Sequence, residues 1–309
     1  MPLSLALTHA FLHGSPSMTD ALHFADAPAS ALSEASAGDD PQALLRARYR
    51  TEGKPEPAQW NEVIGQILAH RSVRSYKPDP LPDGTIETLV AAGQSAASSS
   101  NLQTWSVVAV SDPARKARLA EVTGNQKHIL QAPTLLVFLA DLNRLDALGA
   151  AREHAVEALD YLETLFVGII DAALAAQNAV LAAESLGLGT VYIGALRNDP
   201  ERVAKELGLP PKVFPVFGLC VGYPAPDVVT GIKPRLSPAL VLHREQYGAG
   251  YEPEPVAAYD TAIQDFQSEQ KIPQVPWSRQ ALARVAGPQS LSGRDRIRDA
   301  LTALGFALR

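Results

Sequence analysis

Within HRSVRS, at positions 70–75, His70, Arg71, Ser72 and Arg74 crowd an imidazole, two guanidiniums and a hydroxyl into five positions. Such a donor set can saturate a phosphate or face an electron-rich ring. It also fits a solvated helix end, where cations complement the dipole, and spacing does not separate the two readings. Far down the chain GIKPRLSP carries a second basic pair, Lys233 and Arg235, flanking Pro234. In an extended segment both side chains point the same way, which makes the pair a second candidate anion clamp or an ordinary stretch of surface charge.

Three polar stretches lie between these segments. SAASSSNLQTW (95–105) sets Ser98, Ser100 and Asn101 between a helix and a strand. Its hydroxyls and amides suit either the edge of a polar heterocycle or a plain polar loop. GNQKH (124–128) puts Gln126, Lys127 and His128 just after a helix stop, which fits a ligand contact or an exposed turn. GTVYIGALRN ends a strand with Tyr192, Ile193, Gly194 and Ala195. The missing side chain at Gly194 lets a backbone amide approach a flat ligand, or simply ends the strand.

Other chemistries find no footing. GxGxxG, Walker-type, HExxH and GxSxG patterns are absent. The single cysteine, Cys220, excludes an intramolecular disulfide and a cysteine-based metal site. Inside FGLCV it reads as a core thiol rather than a nucleophile, and no metal centre is expected. The 309 residues hold 33 acidic and 27 basic side chains, a net −6, which argues against a nucleic-acid surface and makes any basic cluster local.

The apolar run 167–189 contains Asp171, Gln177, Asn178 and Glu184 and so reads as a buried helix of a soluble protein rather than a membrane span. MPLSLALTHAFLHG has no Lys or Arg up to Arg46, unlike a secretory signal. Together these features point to the cytoplasm.

The elements that must position these residues fall into four blocks. Residues 1–40 read as a flexible leader, within which Met18 offers an alternative start. Residues 41–59 hold a short helix, capped by Asp40 with Pro41 in its first turn, and a linker. The core spans 60–248, with amphipathic helices over NEVIGQILAH and PDGTIETLVAAGQSAA, strands at 105–110, 134–141, 190–196 and 213–224, and a long helical segment at 151–187. Residues 249–309 form a C-terminal extension with weaker helical signals, of the sort that wraps a partner subunit.

In this order and spacing, HRSVRSY, SSSNLQ, GNQKH, AAESLGLGTVYIGALRN, VFGLCVGYP and KPRLSPALVLH closely resemble the FMN-dependent nitroreductase family. The nearest branch is that of the oxygen-insensitive NADPH nitroreductases and flavin reductases. The resemblance is strong over about 60–248 and faint over the tail. It implies an α+β fold, a mostly antiparallel central sheet flanked by helices, in an intertwined homodimer with two FMN sites at the interface.

On this resemblance His70, Arg71, Ser72 and Arg74 belong to the first FMN-binding segment: Arg71 or His70, with Ser72, Lys233 and Arg235, holds the phosphate and ribityl end, and Arg74 lies toward the N1 and O2 edge of the ring. Ser98 and Gln126 hydrogen-bond the cofactor. Tyr192, Ile193, Gly194 and Ala195 bring backbone toward N5 and O4. Ser100, Asn101 and the tail residue Arg294 lie near the substrate, with Arg74 and Ser100 the catalytic candidates. The activity implied is ping-pong transfer of two electrons, as hydride, from NADPH or NADH through FMN to nitroaromatics, quinones or similar small-molecule acceptors.

Two departures stand out. Ala195 replaces the second glycine of the strand-end pair. The tail reads FQSEQKIPQVPW, with only Lys271 where the branch has an arginine-rich loop, which leaves NADPH against NADH open. The alternatives are a flavin reductase that releases reduced FMN, a non-catalytic flavin-binding module, and a phosphate-recognition domain without flavin.

Overall fold

The computed structural model describes residues 40–50 and 59–309, apart from 227, 229 and 249. The expected leader, except for Asp40, and all but the last residue of the 51–59 linker lie outside the described residues.

One strand organises the architecture. β2 (Thr134–Asp141) is apolar on both faces, as a strand sandwiched between two layers must be. Its side chains alternate: Leu136, Phe138 and Ala140 enter one buried cluster, while Leu135, Val137 and Leu139 enter another on the opposite face. The sheet has the order β1 (Trp105–Val110), β2, β4 (Val213–Gly222), β3 (Gly189–Ile193), and every neighbouring pair is antiparallel. With helices on both faces this is the α+β arrangement expected.

β4 carries a proline in mid-strand, which a regular ladder would not accept. The register explains it. Phe138 pairs with Phe217 but Leu139 with Pro215, so Val216 is the extra residue of a bulge.

Helix α7 (Leu162–Ser185) backs one face of the sheet, placing Gly168, Asp171, Ala172, Ala175, Ala176, Ala179 and Ala183 inward. Small residues there allow close approach to the strands. α3 (Thr85–Gln94) packs on α7 and contributes Leu89 to the same cluster. α4 (Pro113–Val122), capped by Asp112, α5 (Lys127–Gln131) and α8 (Pro200–Leu207), capped by Asp199, cover the other face through Leu119, Ile129 and Val203.

Three sequence expectations need correction. The helical segment expected at 151–187 starts late, and an unexpected helix precedes it. α6 (Asn143–Ala151) ends, the chain reverses at Glu153 with φ 50°, and α7 begins only at Leu162. The reversal folds Val156 onto Gly149, where a Cβ would stand 2.7 Å from Val156 Cγ1. Nor is α7 buried all round. Leu162, Phe166, Ile170 and Leu174 are exposed at four-residue spacing along one face, and α2 (Glu62–Ala69), which packs on α7, adds exposed Val63 and Ile67. Finally, the third strand stops at Ile193, and residues Gly194–Asn198 form a 3₁₀ turn.

The segment after α2 runs extended along the sheet. Ser72 bridges to Thr190 in parallel, and Val73 N donates to Thr190 O at 2.9 Å. Lys77 N donates to Tyr223 O at 2.9 Å. Val73 sits where Gly189 has no side chain, since a Cβ there would lie 2.6 Å from Val73 Cγ2. Gly189→Ala is therefore expected to cost about 1–3 kcal/mol through overpacking, read as a lower urea midpoint at unchanged slope. Gly189→Ala combined with Val73→Ala should recover part of that loss relative to Val73→Ala alone.

Candidate functional site

The extended 70–76 segment meets the second basic segment at one cavity. His70, Arg71, Ser72, Arg74, Lys233 and Arg235 line a space of about 320 Å³, walled on its far side by Phe266, Gln270 and Ile272. Phe266 belongs to α9 (Pro253–Glu269), the first helix of the tail. No described residue of this lining is a carboxylate. Among the described residues, Arg71, Arg74 and the Lys233 ammonium have no hydrogen-bond or ion-pair partner.

Convergent cations raise one another's cost of ionisation. Partial desolvation, then the charges of Arg74 and Arg235, hold the Lys233 ammonium below its ordinary pKa. The site has the chemistry of an anion receptor.

The fold orients this cradle through groups behind it. His70 Nδ1 lies 2.7 Å from Glu184 Oε1, which also accepts from Thr190 Oγ1 at 3.2 Å. Arg48, from the short helix α1 (Pro41–Tyr49), donates to the carbonyls of Lys233, Leu68 and His70.

Beside the cradle stands the GNQKH stretch. Gln126 is the N-terminal flank of α5, and its Nε2 donates to Thr123 O at 3.2 Å. Burial, and then the charge of Arg74, lower the pKa of His128, and its Nε2 is buried with no partner among the described residues. An orphaned ring nitrogen close to an unpaired arginine suits a ligand that carries hydrogen-bonding groups beyond its anionic end.

The turn at the end of β3 is anchored to the bulge. Arg197 Nη1 donates to Val216 O, satisfying a carbonyl of the bulged residue, and burial lowers the pKa of Arg197. Gly194 lies beside this guanidinium, while Tyr192 projects outward with its ring edge-on to Phe217 at 5.1 Å. Ile193 is buried, and Ala195 is half-buried within the turn. Arg294 reaches the same turn from the tail, its Nε donating to Asn198 Oδ1 at 3.0 Å.

The 98–104 loop belongs to a different cavity, of about 480 Å³, lined by Ser98, Asn101, Gln103, Trp105 and Arg144 among others. Within one chain it does not join the cationic cradle. Ser100, Asn101 and Gln103 all adopt positive φ, an unusual run without glycine. Asp171 holds the loop in this shape. Its buried carboxylate accepts from Ser98 Oγ at 2.7 Å, from Ser99 N and Thr104 N at 3.2 Å each, and from Thr104 Oγ1 at 3.3 Å.

Ser98 Oγ in turn accepts from Gln103 N at 2.8 Å, so its single proton is committed to Asp171 and only acceptor capacity remains at this hydroxyl. Asp171 and Arg197 are the site residues that motif reading passed over. A carboxylate within an apolar helix was the signal for the first.

A model described as the nitroreductase family matches residues 67–223, and one described as its C-terminal domain matches 233–309. The chain belongs to the nitroreductase family. Among curated relatives, an FMN reductase (NADPH) of Bacillus subtilis is 42% identical over 212 residues, spanning 68% of this chain and 84% of its own length. An oxygen-insensitive NADPH nitroreductase of Salmonella typhimurium is 42% identical over 207 residues, spanning 66% of this chain and 82% of its own. The solved structure of the hypothetical oxidoreductase YcnD from Bacillus subtilis superposes with a TM-score of 0.76 at 37% identity, covering 81% of this chain and all of that one.

Cys220 takes no part in the site. It is fully buried in the sheet, and desolvation pushes its thiol up to about 12. In the folded protein it should resist alkylating and disulfide reagents at pH 8 and react once denaturant is added, as thiol titration would show. The sign for stability follows. Below the thiol's ordinary value, near pH 9, the preference for the neutral form is fully present. It is lost as pH rises from there toward 12, because the unfolded thiol ionises and the folded one does not.

Proposed function

We propose that this nitroreductase-family protein is an FMN-dependent NAD(P)H oxidoreductase, with the FMN phosphate and ribityl chain held by Arg71, Ser72, Lys233 and Arg235. The observation that carries this reading is the convergence of unpaired cations from two distant segments on one cavity without a carboxylate in its described lining. That arrangement is costly unless a dianion occupies it, and a phosphate monoester supplies one. FMN, when bound, supplies two-electron carrier chemistry between NAD(P)H and a nitroaromatic, quinone or similar acceptor.

The protein's own residues orient and charge the cofactor rather than attack a substrate. His70, fixed by Glu184, orients the first binding segment. Arg74 shares the cavity with the phosphate donors and would serve the ring of the cofactor, where a fixed guanidinium would favour the electron-rich state. The orphaned Nε2 of His128, close to Arg74, and the neighbouring Gln126 would offer the cofactor further hydrogen-bonding groups. The Tyr192–Ala195 strand end, its turn anchored by Arg197, would offer main-chain amides to the cofactor. Ser100 and Asn101 line the acceptor side, and Arg294 borders it from the tail.

Substrates are small molecules, and the reduced, buried Cys220 is in keeping with the cytoplasm. The coenzyme is NADPH in the names of the relatives. Lys271, exposed beside the cavity residues Gln270 and Ile272, is the one cation of the FQSEQKIPQVPW stretch available to a 2′-phosphate.

A second copy of the chain covers the apolar face of α7 and α2. A site completed across that interface accounts for the separation of the 98–104 loop from the cradle. Ile170→Glu, at the centre of the exposed stripe, should shift the protein from dimer to monomer by light scattering. It should also weaken FMN retention in parallel.

The functional reading is tested by purifying the protein, recording a flavin spectrum and adding NADPH or NADH without oxygen. Bleaching of bound flavin, followed by recolouring with a nitroaromatic or quinone, is the expected result. Arg74→Ala should weaken FMN binding or slow bleaching at least tenfold, about 1.4 kcal/mol. The exposed position of Arg71, Lys233 and Arg235 at the mouth also admits exchange of flavin. Loss of flavin to the filtrate during turnover would assign the protein to the flavin reductases instead. A protein that stays colourless after incubation with FMN would contradict both readings.

A further inference from the structure

We infer that Arg48, on a helix that precedes both family-matched segments, is a positioning residue whose guanidinium locks the two halves of the phosphate cradle into one frame. The inference rests on the FMN reading above and adds to it an element that the family match, starting at residue 67, does not include.

Arg48 is 6% exposed, and its fork spans two parts of the chain that the sequence keeps far apart. Nη1 donates to Lys233 O at 2.7 Å. Nη2 donates to Leu68 O at 2.7 Å and to His70 O at 3.1 Å. The Arg48 carbonyl accepts from Arg235 N at 2.8 Å, closing a ring of contacts between α1 and the backbone that presents His70, Arg71, Lys233 and Arg235. Only a planar group with divergent donors reaches both segments at once, and an ammonium satisfies one side at a time.

Two further facts connect this contact to the ligand rather than to packing alone. Arg48 forms no ion pair among the described residues, since its side-chain hydrogen bonds all go to carbonyls. A buried, unneutralised charge directly behind four exposed cations adds to the field that an anion in the cavity feels, and is costly without one. Arg50, two residues on, pairs with Glu269 of α9, its Nη2 2.7 Å from Oε2, and lies 5.8 Å from the centroid of the Phe266 ring that forms the cavity's third wall. Arg48 and Arg50, at the end of α1 and just beyond it, therefore tie together all three walls.

The test is a titration of the full-length apoprotein with FMN and with riboflavin, which lacks the phosphate, followed by flavin fluorescence. Wild type is compared with Arg48→Met and Arg48→Lys. Both variants are expected to lose about 10- to 100-fold in FMN affinity, while riboflavin affinity changes less than about threefold. Equal losses for the two flavins would overturn the inference, because they would mean a general structural role. Wild-type FMN affinity in Arg48→Lys would overturn it too, because charge alone would then suffice.

Linkage supplies a readout that does not depend on the variants folding. FMN, but not riboflavin, should slow amide hydrogen exchange in the 40–50 segment of the wild-type chain, and unchanged exchange overturns the inference. Wild-type protein that binds neither flavin overturns the functional reading and this inference with it. Wild-type protein that prefers FMN while its Arg48 variants keep the same preference overturns this inference alone.

Discussion

Like charges held together with no counter-ion among the described residues are the constraint around which this molecule is arranged. Arg71, Arg74, Lys233 and Arg235 come from segments at opposite ends of the core and face one cavity. Pairs of unit charges a few ångströms apart repel by about 1–4 kcal/mol in a surface environment. The protein must supply the restraint from elsewhere. It does so by seating Val73 against the bare Cα of Gly189, by continuing the first segment as an extra strand-like edge through Thr190 and Tyr223, and by setting the Arg48 fork behind both segments. Rigid scaffolding around an unsatisfied charge is how a site is prepared for an anion before the anion arrives.

The same principle recurs wherever backbone must be presented in an unusual shape. Three residues of the 98–104 loop hold positive φ without being glycine, and a single buried carboxylate, Asp171, receives the hydrogen bonds that keep them there. The turn after β3 departs from strand geometry, and Arg197 fixes it to the carbonyl that the β4 bulge leaves free. In each case a single polar side chain, Asp171 reaching in from α7 or Arg197 reaching out from the turn to β4, over-determines a segment that local preference would not hold. The side chains that touch small molecules are therefore only half of the machinery.

The amino-acid order made much of this legible. The continuous apolar run TLLVFLAD, the cap at Asp40 with Pro41 behind it and the helix stop before GNQKH fix local structure by short-range physics, and they correspond to the elements found. The basic motifs were legible as donor sets, though only three-dimensional closure distinguishes a cradle from two stretches of surface charge. What stayed hidden depends on long-range contact.

Arg48 reads as one more basic residue in LLRARYR, because nothing local says that its fork meets carbonyls from residues 68, 70 and 233. Ser98 reads as a free hydroxyl because its acceptor, Asp171, comes from α7. The early end of α6 depends on Val156 folding back onto Gly149, a contact that periodicity does not register. The exposed apolar stripe of α7 reads as core because composition alone does not separate an apolar face packed inside the chain from one at its surface.

Phosphorus NMR of bound FMN tests whether the cradle holds a fully charged phosphate. Free FMN passes from monoanion to dianion with a pKa of about 6. With Arg71, Lys233 and Arg235 converging on it, the bound phosphate should keep its dianion resonance from about pH 7.5 down to about pH 5, well below that transition. A bound resonance that titrates near pH 6 like the free cofactor would contradict the account, because the converging cations would then not be what holds it.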